Sequence, residues 1–223
     1  WYFVNNTFQK NLHEIDSYGR DTLYNLVKAD IESELIKESL IEEAFYSSVI
    51  EGAFSTLKRA KELAENKISP HDKSEQMIQN NFYAMRFILE NKDKPFSHEL
   101  ILDLHKIVAN KTLPDETYAG KYRDDMVYIT DSQGQTVYTP PKADEAIMLM
   151  DDLIGWVNTE NGDKFIHPII KAAVLHFYFV YVHPFFDGNG RTARALFYFY
   201  LIKNDYAFFR YFSISSMINA KRG

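Results

Sequence analysis

At 223 residues, with 46% hydrophobic and 15% aromatic residues, the chain has the material for one substantial core and is not a disordered polymer. Its formal net charge of −6 argues against a broad nucleic-acid footprint. It contains no cysteine, which excludes disulfides, thiolate zinc sites and cysteine nucleophiles and fits a reducing cytoplasm.

The chain starts at Trp1 without a methionine, shows no signal pattern and stops at Gly223 without an obvious end, so a fragment is expected. Residues 1–24 have no clean period and are expected to wrap against the body through Trp1, Phe3 and Phe8. Residues 26–66 read as helix, because Ile31, Leu35, Ala44, Phe45 and Val49 recur at a spacing of about 3.6 residues. Glu32, Glu34, Glu38, Glu42 and Glu43 are most simply its solvated face. Ser47 and Glu51, four apart, face the same way, and Gly52 is a natural stop or kink. Residues 67–72 form a polar connector in which Pro70 opposes an unbroken helix. That connector is the expected boundary between an N-terminal helical region (1–66) and the remainder (67–223).

Helices follow at 76–90, on Met77, Phe82, Met85, Phe87 and Ile88, and at 97–110, on Leu100, Leu104 and Val108, with Ser97 as N-cap. His98 and His105 have no third ligand with them and read as structural or surface histidines. Beyond them the helical rhythm breaks. Val127 and Ile129, then Thr136 and Tyr138, flank Asp131-Ser132-Gln133-Gly134, which is turn chemistry inside a β-hairpin. Lys121 and Arg123 ahead of it read as surface charges. Residues 143–158 return to helix on Ile147, Met150, Leu153, Ile154 and Val157. The apolar run 165–182 contains His167, Pro168, Lys171 and His176, which suits a buried helix and not a membrane span. Lys171 is expected to turn toward polar partners or solvent, and His176 to belong to the core. Residues 205–218, with Tyr206, Phe208, Phe209, Tyr211 and Phe212, are expected to pack on the helices before them. The pattern as a whole is mainly α with one β-hairpin.

Between the apolar runs 165–182 and 195–202 lies His183-Pro184-Phe185-Phe186-Asp187-Gly188-Asn189-Gly190-Arg191-Thr192-Ala193-Arg194. By pattern this is helix, tight loop, helix, with Gly188 and Gly190 supplying backbone freedom. The first amides of the second helix lack internal partners, and its dipole favours negative charge there. Arg191 and Arg194 share a face of that helix. Cations there oppose the dipole, so an anion is expected between them. Asp187 is a hard oxygen ligand suited to Mg²⁺ held jointly with phosphates, and His183 accepts a proton near neutrality. Each residue alone would suit an ordinary solvated turn. Together they describe a phosphoryl- or nucleotidyl-transfer site.

The stretch resembles the Fic-family motif H-P-F-x-[D/E]-G-N-G-R-x-x-R at every specified position. The resemblance implies a helical bundle with one β-hairpin flap, and a protein adenylyltransferase moving AMP from ATP to a Ser, Thr or Tyr hydroxyl of a protein. By it, His183 is the base, and Asp187 holds Mg²⁺ (or Mn²⁺) against the α- and β-phosphates. Gly188, Asn189 and Gly190 form the anion hole, Asn189 also touching phosphate oxygens, while Arg191 and Arg194 bind the β/γ end. Phe185 packs the loop into the core. The intact Gly188-Asn189-Gly190 favours AMP transfer over the phosphate transfer of the related Doc branch. Ser47-Ser48-Val49-Ile50-Glu51-Gly52 resembles the family's N-terminal inhibitory motif, [S/T]-x-x-x-E-[G/N]. That implies that Ser47, Glu51 and Gly52 bring the Glu51 carboxylate against Arg194, blocking productive γ-phosphate binding. Val127, Tyr128, Ile129 and Thr130 would form the flap edge that clamps the target by strand addition. Family members commonly wall the adenine pocket with a tyrosine-containing helix past the equivalent of Met217, and this sequence stops short of it. The rivals are removal of AMP with Glu51 activating water, transfer from another nucleotide donor, and a non-catalytic partner-binding module. The expected partners are ATP and a protein target, with no direct nucleic acid and no membrane; the oligomeric state stays open.

Overall fold

In the computed structural model α1 (Asn6–Glu14) runs into a π-helical turn (Ile15–Gly19), and α2 (Ala29–Ile50), α3 (Leu57–Ala64), α4 (Lys73–Glu90) and α5 (His98–Ala109) follow. A 3-10 turn (Glu116–Tyr118) leads to the hairpin strands β1 (Ile129–Thr130) and β2 (Thr136–Tyr138). Then come α6 (Ala143–Asn158), α7 (Pro168–Val182), α8 (Asn189–Lys203), a 3-10 turn (Ala207–Tyr211) and α9 (Ile214–Ala220). The structure describes residues 4–19, 29–131, 133–159 and 165–221; Trp1 and Phe3 lie outside the described residues. The mainly α architecture with one hairpin is the one expected.

Local chemistry sets the helix starts. Ser97 accepts from the Leu100 amide, Asp72 from that of Glu75, and Thr56 from that of Arg59. Pro168 occupies the first turn of α7, where its missing N–H costs no helical bond. In the hairpin Ile129 faces Tyr138 and Thr130 faces Thr136. The Asp131 carboxylate accepts from the amides of Gln133 and Gln135, and Gly134 sits at φ 79°.

α7 and α8 form the centre. Phe179, Val182, Leu196 and Phe199 are fully buried, and Tyr206, Phe208 and Tyr211 cover them as expected. The same apolar cluster takes in Leu40, Ile41, Ala44 and Leu63 from before the connector and Ile78, Leu104 and Val108 from after it. The connector is therefore a joint in the chain and not a break in the core. Arg59 spans it with a two-pronged contact to Glu75, both prongs at 2.7 Å. Among the described residues no helix is long and apolar enough to cross a membrane.

Several expectations fail, each for a packing reason. The core phase of α2 runs through Leu40, Ile41 and Ala44, so Ile31 and Leu35 in its first turns are exposed. Phe8 is exposed on α1, and Ile147 yields its place in the α6 stripe to Ala146. Glu43 is not on a solvated face but buried, as is Arg123. Lys171, by contrast, meets a polar partner as expected: buried, it donates to the Thr159 carbonyl and lies over the rings of Trp156 and Tyr200.

Candidate active site

α7 ends on His183, whose left-handed backbone (φ 51°) turns the chain sharply while its N–H still bonds the Phe179 carbonyl. The loop is then pinned from inside. Phe185 is fully buried and stacks on the His105 ring at 3.6 Å, as expected of a packing residue. Asn189 accepts from the Phe185 amide at 2.9 Å and donates to its carbonyl at 2.8 Å. His105 Nε2 meets the Asp187 carbonyl at 3.0 Å, and its Nδ1 accepts from the Gly120 amide. Gly188, at φ 82°, caps α8; a Cβ there would press on Val108 at 3.2 Å. Among the described residues the amides of Asn189, Gly190 and Arg191 have no backbone partner. This is the free helix mouth the sequence calls for.

The Asn189 side chain departs from its expected part. It is committed to the loop, so it shapes the site, and any anion contact from this residue falls to its amide.

Burial lowers the His183 pKa, and the nearby Arg123 cation acts in the same direction. The ring is therefore neutral at pH 7. Its Nδ1 faces the Val180 carbonyl at 3.3 Å, and a carbonyl only accepts. Nδ1 thus carries the hydrogen and Nε2 the free lone pair.

The two arginines take different places. Arg191 is buried, donates to the Val108 carbonyl and reaches Asp187 at 3.4 Å. Its Nε is buried with no acceptor among the described residues. Burial works against its charge, and the Asp187 and Glu51 carboxylates offset this only in part. Arg194 instead donates to Ser47 Oγ at 2.7 Å, to the Ser47 carbonyl at 2.8 Å and to Glu51 Oε1 at 2.8 Å. Asp187 is half-exposed: Oδ1 accepts from the Gly188 amide, and among the described residues Oδ2 faces only the Lys73 ammonium, 3.7 Å away. A carboxylate oxygen already opposite a cation fits a divalent ion shared with phosphates. Among the described residues no cluster of three metal-binding side chains exists, so phosphate and water oxygens would complete the shell.

Glu51 reaches the site because α2 stops where it does. The Gly52 amide bonds the Val49 carbonyl and the Ala53 amide bonds that of Ser48, with Gly52 at φ 88°. These bonds close the helix in a left-handed cap. Glu51 is then the last residue of the turn, and its carboxylate lies against Gly190, where an added Cβ would overlap it. An acid at a helix C-terminus is locally unfavourable; here it is placed at the N-terminus of α8 and on Arg194 instead.

Sequence reasoning misses three features. Arg123 donates to the carbonyls of His183 (2.8 Å), Asp125 (2.8 Å) and Pro141, tying the loop to the base of the hairpin. His105 clamps the loop from α5. A cavity of about 130 Å³ opens beside Arg194, lined by Ala173, His176, Phe197, Ile214 and Ile218. α9 supplies part of its wall through Ile214 and Ile218, and His176 borders that cavity as well as the core. In the hairpin Tyr128 and Thr130 are exposed while Val127 and Ile129 are half-buried, and Tyr138 donates to the Tyr181 carbonyl just before the loop.

The amides at the mouth of α8, the glycine loop, His183, two arginines and the Asp187 and Glu51 carboxylates meet at one point of a helical bundle, an arrangement with the chemistry to receive phosphate. Residues 95–201 match the family model described as Fic/DOC family, and the chain belongs to that family. Similar proteins include two named Protein adenylyltransferase Fic. That of Nematostella vectensis is 30% identical over 197 residues, covering 84% of this chain and 43% of the relative. That of Drosophila erecta is 30% identical over 199 residues, covering 86% and 38%. A solved Fic family protein from Desulfovibrio desulfuricans G20 shares the fold, with a TM-score of 0.79 at 20% identity over 99% of this chain and 64% of its own. The chain spans less than half the length of these curated relatives.

Proposed function

We propose that this chain transfers AMP from ATP to a hydroxyl of a protein and is held back by Glu51. The observation that carries the reading is the position of the Glu51 carboxylate, bound to Arg194 and lying against Gly190 at the mouth of α8. An acid occupies the place built for phosphate. Displacing it frees Arg194 for the β/γ end of the nucleotide, and Arg191, whose Nε lacks an acceptor, sits beneath the same loop. The adenine would enter the cavity beside Arg194.

In the transfer, the target hydroxyl oxygen bonds to the α-phosphorus as the bond from that phosphorus to the β-bridging oxygen breaks. The hydroxyl proton goes to His183 Nε2, and the electron pair leaves with pyrophosphate. The amides at 189–191 and the two arginines face charge that grows during the step. A divalent cation at Asp187 would neutralise phosphate charge. Val127, Tyr128, Ile129 and Thr130 would present the target by strand pairing, and Arg123 would fix the hairpin against His183.

The test is self-modification with ATP radiolabelled at the α-phosphate, comparing the parent chain, Glu51→Gly, and Glu51→Gly with His183→Ala. Label should rise at least about tenfold in the first variant, equivalent to about 1.4 kcal/mol, and vanish in the second. Retained label without His183 would sink the catalytic assignment. A second reading, removal of AMP, is favoured by one contact: Arg194 engages only Oε1 of Glu51, leaving Oε2 able to orient a water. Release of AMP from a modified protein, lost in Glu51→Gly, would favour it.

A further inference from the structure

Glu43 lies two helical turns before Glu51 on the same face of α2, with Ser47 between them. It is only 2% exposed. Its Oε2 accepts from Tyr198 Oη at 2.8 Å, Ser213 Oγ at 3.0 Å and the Ser215 amide at 2.9 Å, and its Oε1 from Ser215 Oγ at 2.5 Å. Tyr198 also lies near the Phe212 carbonyl, but its single proton goes to the carboxylate, the stronger acceptor. Four neutral donors thus hold one buried charge; an amide in its place would keep the shape but lose the charge-assisted strength of these bonds.

Tyr198 follows Arg194 by four residues, so the two stand one turn apart on α8. α2 and α8 are therefore joined by two rungs. Ser47 and Glu51 on Arg194 make the half-open rung beside the glycine loop; Glu43 on Tyr198 makes the buried rung behind it. The first turns of α2 are held differently: Ile31 and Leu35 are exposed, and Glu32 accepts from Arg210 at 2.5 Å and Tyr211 Oη at 2.6 Å, a half-exposed tie to the 3-10 turn and not to α8. Ser48 accepts from Asn81, but that bond ties α2 to α4 and not to α8. Glu51 Oε1 lies close enough to overlap a Cβ at Gly190, so the carboxylate uses space that exists because residue 190 is glycine.

We propose that Glu43 is a positioning residue: by anchoring α2 to Tyr198 and to the start of α9, it sets the height at which Glu51 covers the mouth of α8. This rests on the reading of Glu51 as the inhibitory group. The quantity to measure is the rate of Glu51→Gly divided by the rate of its parent, with and without Glu43→Gln. Glu43 also borders the cavity beside Arg194, but any change in base binding acts in both backgrounds and cancels in the ratio.

Glu43→Gln should lower that ratio on the order of tenfold, as expected when a charge-assisted anchor is lost. A Glu43 that only stabilises the fold would slow both backgrounds equally, and an unchanged ratio overturns the proposal. Ser215→Ala removes one donor without touching α2; it should shift the ratio the same way by less, and serves if Glu43→Gln does not fold. Should no chain transfer AMP, the functional reading fails. The affinity for a fluorescent ATP analogue then reads the anchor alone: Glu43→Gln should tighten binding only where Glu51 is present. Equal affinities with and without the substitution refute it.

Discussion

Asn189 gives both ends of its amide to Phe185, so the loop is closed by one of its own residues. Truncation to Ala leaves a buried N–H and a buried carbonyl unpaired, at roughly 1–3 kcal/mol each. Asn189→Ala should therefore lower the melting temperature by several degrees and remove transfer with it; an unchanged melting temperature would show that the loop is held elsewhere. His183 makes a separate prediction through its protonation. Burial lowers its pKa from the ordinary 6.5, so the imidazole keeps its lone pair at pH values where a free histidine is half-charged. Transfer by the Glu51→Gly chain should hold as the pH falls through 6.5 and decline only below it. A pH–rate profile that already bends above 6.5 would contradict the burial argument.

At the scale of elements, the decisive feature is where α2 ends. Gly52 has nothing within 4 Å of a built Cβ, so glycine is required there for its φ of 88° and not for space. Gly52→Ala should cost about 1 kcal/mol of local strain, relieved by unwinding the last turn that carries Glu51. Basal AMP incorporation should rise while the melting temperature falls by only a few degrees. Unaltered basal incorporation would mean that Glu51 is placed independently of its cap. This element was readable in the sequence, as were α5 with its Ser97 cap and the turn of the hairpin, because their determinants lie within a few residues. The polar struts were not. Arg123 meets a carbonyl 60 positions away, His105 one 82 away, and Glu43 a tyrosine 155 away. Periodicity compares near neighbours only, so a charged residue whose partners arrive through the fold reads as surface.

The whole molecule buries two further histidines, and both make it sensitive to acid. Burial holds His105 and His176 down at about 4, against the ordinary 6.5. For His105 the geometry explains the resistance: Nδ1 accepts from the Gly120 amide, so an added proton would point at an N–H. Above pH 6.5 folded and unfolded chains are both neutral at these positions, and their contribution to stability is complete. Below 6.5 the unfolded chain takes up protons that the folded chain refuses, so stability falls until the folded pKa near 4 is passed. Each shift corresponds to about 3 kcal/mol at most, and His183 acts in the same direction. Two such groups approach the whole margin of a domain stable by about 5–15 kcal/mol. Denaturant unfolding should accordingly show a loss of several kcal/mol between pH 6.5 and 4.5, steepest near about pH 5, midway between the unfolded and folded pKa values, and smaller in His176→Gln. Flat stability across that window would mean that both rings accept protons in place. Because His105 holds the Asp187 carbonyl, the fall should be accompanied by loosening of the glycine loop, read as faster amide exchange at residues 185–190 before global unfolding.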